Sequence, residues 1–373
     1  MQLEEKNDNK RILFICPYPR GGAPGQRFRY EHFFSYLEEQ NIPFDIAPFL
    51  DEKTNKILYQ KGKQVKKILG VLKGFLGRIR LLFEIPNYEY VFIFREATPL
   101  GPPIIEWFIA RVLNKKIIYD FDDAIWLPFT SKTNRITNQL KFTSKVKSIC
   151  KWSFKISCGN QYLADFASQF NDSVYIFPTV VDTVKTHNKI QNQITSQVNI
   201  GWTGSHSTLI YLDELIVALS ALEKKYNFKF FVIADKNPRL PLTCFQFVKW
   251  KKETEIEDLL KFHIGLMPLI ANPWSEGKCG FKAIQYLSLG IPAIVTPVGV
   301  NCEIVQNGVN GFHCNTSEDW YTALEKLIID TKLREMMGKK GRVLIEKKYS
   351  VNSLKLEFLN LFSINTSSVF EEI

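Results

Sequence analysis

Two lysines near the start of a predicted helix have the residue type and position to bind an anion. Lys278 precedes the helix predicted over Phe281–Leu289, and Lys282 lies in its first turn. The positive end of a helix macrodipole disfavours both charges, so stability alone does not account for them. An anion bound between the lysines removes this conflict, and a departing nucleotide diphosphate carries such a charge.

Gln285 extends this candidate site along the same helix. It lies three residues beyond Lys282 and on the same helix face, where its amide could hydrogen-bond a ribose. The competing interpretation of Lys278 and Lys282 is a solvated lysine pair on a surface helix. The residues of this segment alone leave both interpretations open.

A turn of small polar residues offers a second place for a phosphate. Thr203, Gly204 and Ser205 follow the strand predicted over Val198–Trp202 and lead into a helix. Their backbone N–H groups and hydroxyl groups can donate hydrogen bonds to phosphate oxygens. Turns of this kind are common between strands and helices, so this one supports a phosphate site without establishing it.

Three carboxylates cluster directly after another predicted strand. Asp120, Asp122 and Asp123 follow the apolar run KIIY, at the end of the strand where α/β sheets bind ligands. This cluster could hold a metal ion, bind a hydroxyl group of an acceptor, or orient Arg95 and Trp126. Its position after the strand favours a functional role.

Predicted strands alternate with predicted helices along most of the chain, as in the strands Tyr90–Phe94 and Phe228–Ala234. Such alternation is typical of parallel sheets covered on both faces by helices. The pattern stops in a polar stretch and then restarts, and 373 residues suit two domains. We therefore expect an α/β protein with two Rossmann-like domains facing each other across a cleft. The expected segments are an N-terminal domain 1–182, a linker 183–197, a C-terminal domain 198–349, and a terminal helix 350–373 packing back on the first domain.

Much of the net charge of +10 comes from one segment, residues 53–80, which has nine basic residues and no acidic residue. Apolar residues recur there at steps of three and four, which predicts a basic amphipathic helix. This helix could lie on an anionic membrane surface, or its apolar stripe could face the core of its own domain. A nucleic-acid partner is not expected, because no basic module interleaved with aromatic residues is present. The apolar residues are Val65, Ile68, Leu69, Leu72, Phe75, Leu76 and Ile79.

Cysteine and histidine spacing give no indication of a disulfide framework or a metal site. The seven cysteines form no C-x-x-C pair and the five histidines show no metal-ligand spacing. The first ten residues are polar, and no apolar run reaches the roughly 18 residues of a membrane-spanning helix. We therefore expect a cytoplasmic protein with reduced thiols and no metal, and contact of residues 53–80 with the inner face of the membrane stays an open alternative.

The segment Lys278–Val305, followed by Gly308–Phe312, resembles the donor-binding region of family 4 glycosyltransferases of the GT-B fold. In that family the helix reads approximately E-G-F-G-x-x-x-x-E-A-M-A-x-G-x-P-V, followed by a glycine loop, E-I-V and a short N-G or T-G turn. The sequence Gly290-Ile291-Pro292 aligns with the G-x-P of the family. The resemblance is most specific between Gly201 and Phe312.

This alignment places Gln285 at the second Glu of the family motif, which usually contacts the donor ribose. Gly277 stands at the first Glu, which usually contacts the donor sugar, so the paired glutamates of the family are not present. Lys278 and Lys282 resemble a subgroup with G-K-x-x-x-K in this place, which implies contact with the donor phosphates. The identity of the sugar stays open.

The resemblance implies further donor contacts beyond the lysine helix. Gly299, Val300 and Asn301 resemble the glycine loop that lies beside the donor sugar and pyrophosphate. Glu303 follows this loop and could pair with a ribose hydroxyl group or cap its own helix.

In the N-terminal half, the loop ending at Gly25 resembles the glycine-rich loop that faces the cleft in GT-B enzymes. Arg27 and Arg29 beyond it could touch donor phosphates or an anionic acceptor, or could be ordinary ion-pair partners. Arg95 and Glu96 occupy roughly the place of an acceptor-side His or Glu, and a buried ion pair is the alternative. Because GT-B enzymes generally need no metal, the resemblance favours acceptor binding by Asp122 and Asp123, or orientation of Arg95 and Trp126 by these carboxylates.

Together these features predict a glycosyltransferase that moves a hexose-type sugar from a nucleotide-diphosphate sugar of the UDP or GDP type. The resemblance implies retention of the anomeric configuration, no metal and no other cofactor. It also implies a glycan or lipid-linked acceptor in the synthesis of capsular polysaccharide, lipopolysaccharide or other envelope glycans. Two alternatives are a nucleotide-sugar epimerase of the same fold and a non-catalytic protein that only binds the nucleotide sugar.

Overall fold

A computed structural model describes residues 11–58, 60, 62–127 and 142–364 of the chain. The chain divides into two compact units: Met1–Pro178 with Lys355–Ile373, here called the N-terminal unit, and Thr179–Leu354, the C-terminal unit. The polar residues 1–10, residues 59 and 61 of the basic segment, and residues 365–373 of the predicted terminal helix lie outside the described residues.

The N-terminal unit is built on a six-stranded parallel sheet with the strand order β2-β1-β3-β4-β5-β6. Every residue of β1 and of β3 is buried, as expected for central strands with helices on both faces. The strands are β1 Ile12–Cys16, β2 Phe44–Pro48, β3 Tyr90–Phe94, β4 Lys116–Phe121, β5 Lys155–Cys158 and β6 Val174–Ile176.

Helices connect these strands and cover the sheet. The tail helix of the chain packs on this unit through aromatic side chains, since the Phe358 ring stacks on the Phe33 ring with centroids 4.4 Å apart. The described helices that include residues of this unit are α1 Pro24–Arg29, α2 Phe34–Glu39, α3 Glu52–Ile57, α4 Gln64–Glu84, α5 Ile104–Arg111, α6 Lys145–Trp152, α7 Gln161–Ser168 and the tail helix α15 Val351–Leu361.

The C-terminal unit has a second six-stranded parallel sheet, with the order β12-β11-β10-β7-β8-β9. Its strands are β7 Val198–Gly204, β8 Phe228–Ala234, β9 Phe245–Lys249, β10 Ile264–Met267, β11 Ala293–Val295 and β12 Gly311–His313. Its helices are α8 Ile216–Leu222, α9 Glu255–Leu259, α10 Pro273–Glu276, α11 Phe281–Ser288, α12 Asn301–Ile304, α13 Ser317–Ile329 and α14 Thr331–Lys348, and a 3-10 helix spans His206–Leu215.

The predicted α/β class with two successive parallel sheets is confirmed. All strand pairs in each sheet are parallel, so the carboxyl ends of the strands in one sheet meet at one edge. The helices that follow those strands begin at this edge. This arrangement brings the start of α11 and the ends of β7 and β11 to the same side of the C-terminal sheet.

The predicted basic amphipathic helix is present as α4, but its apolar stripe does not face the core. Leu69 and Leu76 are exposed, whereas the face that packs on the unit contains Gly74, Arg78 and Leu81. The alternative of a core-facing stripe is therefore wrong. Within the described residues, no helix combines the length and apolarity needed to cross a bilayer.

Candidate functional site

The N-terminus of α11 is open to an anion. Its N-cap residue, Gly280, has a left-handed conformation with φ 64°, and no described side chain caps the helix. The first turn contains no acidic residue. The start of α11 therefore presents the positive end of the helix dipole with no carboxylate in its first turn to oppose a bound anion.

The structure places the two predicted lysines at this helix end. Lys278 lies two residues before the N-cap Gly280 and Lys282 is the second residue of the helix, and both are half-buried. The Lys278 Nζ lies 4.9 Å from the centroid of the Trp274 ring, and the Lys282 Nζ lies 5.7 Å from that of Trp202. These ring contacts fix each ammonium group near the helix start.

The turn after β7 lies at the same edge of the sheet. Thr203 and Gly204 end the strand, Ser205 precedes the 3-10 helix, and Ser205 is exposed. The Thr203 N–H group donates a hydrogen bond to the Tyr286 hydroxyl at 3.1 Å, which links this turn to α11. The predicted phosphate-binding turn and the lysine helix are thus brought together.

The glycine loop after β11 also reaches the start of the lysine segment. Gly299 has φ 54°, and a Cβ at this position would lie 2.8 Å from the Glu276 carbonyl oxygen. A Cβ at Gly280 would lie 3.3 Å from Val300 Cγ1 and 3.4 Å from Asn301 Oδ1. Gly299 therefore allows a close approach to the backbone at Glu276, and Gly280 allows a close approach to side chains of the loop and of α12.

Two buried polar side chains near this edge have atoms without a hydrogen-bond partner among the described residues. They are Gln285, 2% exposed, at its Nε2, and Asn301, 1% exposed, at its Oδ1. Buried polar atoms in native proteins normally have partners, so each could accept a ligand contact. Glu303, in contrast, is exposed on α12, and the structure gives it no cap role.

In the N-terminal unit, Arg95 lies between two of the predicted carboxylates. Its Nε donates to Asp122 Oδ1 at 2.8 Å and its Nη2 to Asp123 Oδ2 at 2.6 Å. A Cβ at Gly25 would lie 3.2 Å from Asp122 Oδ2, so the predicted glycine loop borders this cluster. Arg95 has φ 62°, a conformation that costs a non-glycine residue on the order of 1–3 kcal/mol and that concentrates at functional sites.

The charges of this cluster depend on one another. Burial raises the pKa of Asp122, Arg95 opposes that shift and Asp123 adds to it. Burial acts against the Arg95 charge, but Asp122 and Asp123 raise the pKa of Arg95. The arrangement presents carboxylate acceptors and a guanidinium donor side by side, which suits the hydroxyl groups of a sugar.

Arg29 has the ion-pair surroundings that were its alternative to ligand contact. Its side chain is fully buried, with Nη2 donating to Asp120 Oδ1 at 2.5 Å and to Ser157 Oγ at 3.2 Å, and Nη1 bound to the Phe177 carbonyl. Its donors already bind protein acceptors, so it stabilises the unit and does not contact a ligand. Asp120 is thereby separated from the other two carboxylates.

Two other predicted acceptor-side residues have different surroundings. Glu96 pairs with the buried Lys145 at 2.7 Å, in agreement with the ion-pair alternative. The Arg27 guanidinium lies 4.9 Å from the Phe28 ring centroid and the side chain is half-buried.

Three aromatic residues that the sequence did not single out contact the two lysines and the turn after β7: Trp202, Trp274 and Tyr286. Trp202 and Tyr286 are fully buried. An aromatic residue in an apolar run does not by itself indicate that it positions a binding site. The tryptophan of the run Ile-Gly-Trp-Thr-Gly was the one available indication, because it directly precedes the small-residue turn.

A cavity of about 440 Å3 lies elsewhere in the C-terminal unit, at the amino ends of β7, β8 and β9. Its wall includes Glu223, whose Oε2 already accepts hydrogen bonds from Thr243 and the Cys244 N–H group. Ligands of parallel sheets bind beyond the carboxyl ends of the strands. We therefore expect ligand binding at the opposite edge, where α11 begins.

Two α/β units with parallel six-stranded sheets are the architecture expected for the GT-B fold. Residues 211–344 match the family model of glycosyl transferases group 1, and this stretch includes α11 and the glycine loop. This part of the C-terminal unit is therefore similar to a glycosyl transferases group 1 domain.

One curated relative of this chain is a glycosyltransferase of polysaccharide synthesis. The chain is 25% identical over 269 residues to the capsular polysaccharide biosynthesis glycosyltransferase CapM of Staphylococcus aureus. That match covers 69% of this chain and 66% of the relative, slightly less than two thirds of its length.

Solved structures of two proteins share the fold. Sucrose-phosphate synthase from Thermosynechococcus elongatus has a TM-score of 0.70 at 12% identity, covering 95% of this chain and 98% of that one. Anabaena HepE, in complex with UDP and glucose, has a TM-score of 0.64 at 14% identity, covering 95% and 100%. The predicted GT-B type of two-domain fold is confirmed by these likenesses.

Proposed function

We propose that this chain is a glycosyltransferase that moves a hexose-type sugar from a nucleotide-diphosphate sugar, of the UDP or GDP type, to a glycan or lipid-linked acceptor. The observation that carries the proposal is the uncapped start of α11 with Lys278 and Lys282 beside it. Two cations and the helix N–H groups suit the negative charge that builds on a departing diphosphate. The HepE complex with UDP and glucose supports a UDP-sugar as the first donor to test.

The proposed reaction is a single group transfer. The acceptor hydroxyl oxygen forms a bond to the anomeric carbon while the bond from that carbon to the diphosphate oxygen breaks. The hydroxyl proton passes to a phosphate oxygen of the leaving diphosphate, so attack comes from the leaving-group side with retention. No metal takes part, and Lys278 and Lys282 stabilise the leaving group.

The remaining donor contacts follow from the positions of the other groups. The N–H groups of Gly204 and Ser205 and the hydroxyl groups of Thr203 and Ser205 bind phosphate, and the Gly299 loop allows the sugar diphosphate to approach the backbone. The Nε2 of Gln285, which has no hydrogen-bond partner among the described residues, donates to the ribose. The exposed Glu303 carboxylate accepts a hydrogen bond from a ribose hydroxyl group.

On the acceptor side, the Arg95–Asp122–Asp123 cluster binds the hydroxyl groups of the acceptor, and Arg27 and Glu96 lie in the same unit. The relative CapM acts in capsular polysaccharide biosynthesis, which supports an acceptor in capsular or other envelope glycan synthesis. We place this reaction at the inner face of the membrane, where lipid-linked saccharides present their sugars.

Calorimetric titration of the full chain with UDP, GDP and ADP tests the diphosphate site. Lys282→Ala and Lys278→Ala are each expected to weaken binding of the preferred nucleotide about 10- to 150-fold, since a charged hydrogen bond contributes about 1.5–3 kcal/mol. Lys326→Ala is the matched control, because Lys326 lies 5.8 Å from the Phe312 ring in the same unit but outside this site. Unchanged affinity for every nucleotide in both lysine variants would overturn the site.

Turnover separates transfer from the alternatives. Incubation with the preferred nucleotide sugar and a saccharide acceptor is expected to release the nucleotide diphosphate and form a product with the anomeric configuration of the donor, as read by NMR. Tight binding without release or transfer would favour a non-catalytic binding protein. A changed sugar still attached to the nucleotide would favour an epimerase.

A further inference from the structure

Helix α4 is attached to the N-terminal unit by a narrow face of small residues and one arginine. A Cβ at Gly70 would lie 2.3 Å from Thr54 Oγ1, and one at Gly74 would lie 2.6 Å from the Phe49 carbonyl oxygen. The buried Arg78 guanidinium donates to the carbonyls of Cys16, Ala47 and Ala97 at 3.0, 2.9 and 2.7 Å. Glycines at this face let the helix approach closely, and Arg78 fixes its rotation.

The opposite face of α4 exposes a continuous apolar stripe. Steps of three, four and seven residues place these side chains in one row along the helix. Their exposed fractions run from 54% for Leu72 to 81% for Phe83, although large apolar side chains are normally covered. The stripe consists of Val65, Ile68, Leu69, Leu72, Leu76, Ile79 and Phe83.

Basic residues border the stripe along its length. Lys66, Lys73 and Arg80 follow one another at steps of seven, so they form a row beside the apolar side chains. Lys73 pairs with Asp51 at 2.8 Å and Arg80 with Glu84 at 3.3 Å, in exposed pairs that leave both cations at the surface. Lys63 and Lys67 add positive charge at the start of the helix.

We infer that the α4 stripe, the seven apolar residues named above, docks in the plane of an anionic lipid bilayer. An apolar row flanked by lysine and arginine is complementary to acyl chains beside negatively charged headgroups. The 21 residues of α4 give a row about 31 Å long, which suits a flat surface. A protein partner that matches this charge pattern would need an apolar groove with an acidic rim. An anionic bilayer has negatively charged headgroups above apolar acyl chains at every point of its surface.

The position of α4 relates this docking face to the candidate acceptor cluster. Arg78 binds carbonyls at or just beyond the ends of β1, β2 and β3, and Asp122 and Asp123 follow the end of β4. Both features therefore lie at the carboxyl edge of one sheet. A membrane at the stripe would present a lipid-linked saccharide to that edge, a consequence that rests on the proposed function, whereas membrane docking does not.

Co-sedimentation of the full chain with vesicles tests the inference without donor or acceptor. We expect binding to mixed phosphatidylglycerol and phosphatidylcholine vesicles, weak binding to phosphatidylcholine alone, and reversal of binding by salt. The triple variant Leu69→Gln, Leu72→Gln, Leu76→Gln should lower the partition coefficient at least about tenfold, and Lys66→Gln with Arg80→Gln should lower it several-fold.

The matched control is Val217→Gln with Ile329→Gln, which removes two similarly exposed apolar side chains from the C-terminal unit and should leave binding unchanged. Circular dichroism and UDP titration of each variant separate loss of docking from misfolding. Binding that survives the triple variant would overturn the inference. The inference would also be overturned if the chain does not bind anionic vesicles but forms a dimer that dissociates in the triple variant.

Discussion

The hydroxyl group of Tyr286 joins helix α11 to the carboxyl end of β7. It accepts a hydrogen bond from the Thr203 N–H group at 3.1 Å and donates one to the Leu266 carbonyl at 3.3 Å. The ring lies against Gly265, where a Cβ would come within 2.3 Å of Tyr286 Cδ2. One buried side chain thus fixes the lysine-bearing helix relative to the turn Thr203–Ser205.

Tyr286→Phe is expected to weaken both stability and donor binding. The Thr203 N–H group loses its partner, which should lower the free energy of unfolding by about 1–2 kcal/mol in urea titrations. UDP affinity by calorimetry should fall about three- to tenfold as the turn becomes less fixed. Tyr226→Phe is the control, because it removes a hydroxyl bonded to Glu325 at 2.8 Å in the same unit. Equal UDP affinity in the wild type, Tyr286→Phe and Tyr226→Phe would contradict binding of the donor by the turn Thr203–Ser205.

Gly299→Ala is expected to disrupt donor binding because two constraints act at this position. The residue has φ 54°, and a Cβ would lie 2.8 Å from the Glu276 carbonyl oxygen, two residues before Lys278. The clash should displace the lysine segment and reduce UDP affinity at least about tenfold.

Gly308→Ala separates the backbone strain from the clash. Gly308 has φ 76°, and within the described residues no atom lies within 4 Å of its Cβ position. It should lose about 1 kcal/mol of stability and bind UDP normally. Equal loss of UDP affinity in both variants would show that the close approach at Gly299 has no role in binding.

Removal of one partner of the buried Arg29–Asp120 pair should be strongly destabilising. Both side chains are almost completely buried, so Arg29→Met leaves an unpaired carboxylate in the core. We expect a loss of about 3–5 kcal/mol in urea unfolding. The double variant Arg29→Met, Asp120→Leu should recover part of it, because no charge is then left uncompensated. A double variant as unstable as the sum of the single variants would contradict this account.

The fold could be predicted where local pattern and tertiary packing agree. Strands Tyr90–Phe94 and Phe228–Ala234 have the predicted bounds, because dense runs of β-branched and aromatic residues favour buried strands. Helix α14 was missed, since its segment is highly charged and contains two glycines. At one of them, Gly338, a Cβ would lie 2.1 Å from the Gly290 carbonyl oxygen. A tertiary contact therefore requires glycine there, and the local sequence does not show that contact.

The candidate site shows the same division. Lys278 and Lys282 could be placed at a helix start, because that position depends only on nearby residues. The pairing of Arg29 with Asp120 joins residues 91 positions apart, and the sequence contains no local indication of it. The periodicity of α4 could not show which face is buried, since Gly74 and Arg78 mark the packed face only once their contacts are known.

His263 should make the C-terminal unit sensitive to acid. Its Nδ1 accepts a hydrogen bond from the Asn199 N–H group at 3.0 Å, so the folded protein holds the neutral ring. Burial, with a smaller contribution from Arg334, lowers the pKa of His263 from 6.5 to about 4. As pH falls from 6.5 towards 4, the unfolded chain binds a proton that the folded chain does not, so stability decreases; below about 4 both states are protonated and the decrease stops.

The contribution of this single group is expected to be on the order of 1–2 kcal/mol, less than the full shift because the ring is partly screened. His263→Asn keeps an acceptor near the Nδ1 position but does not titrate. Urea unfolding of both proteins should therefore show the wild type losing stability relative to the variant between neutral pH and about pH 4.5. Other groups titrate equally in both proteins, so the difference between the two curves isolates His263. Parallel pH profiles would mean that the folded protein accommodates the protonated ring and that the Asn199 hydrogen bond does not hold it neutral.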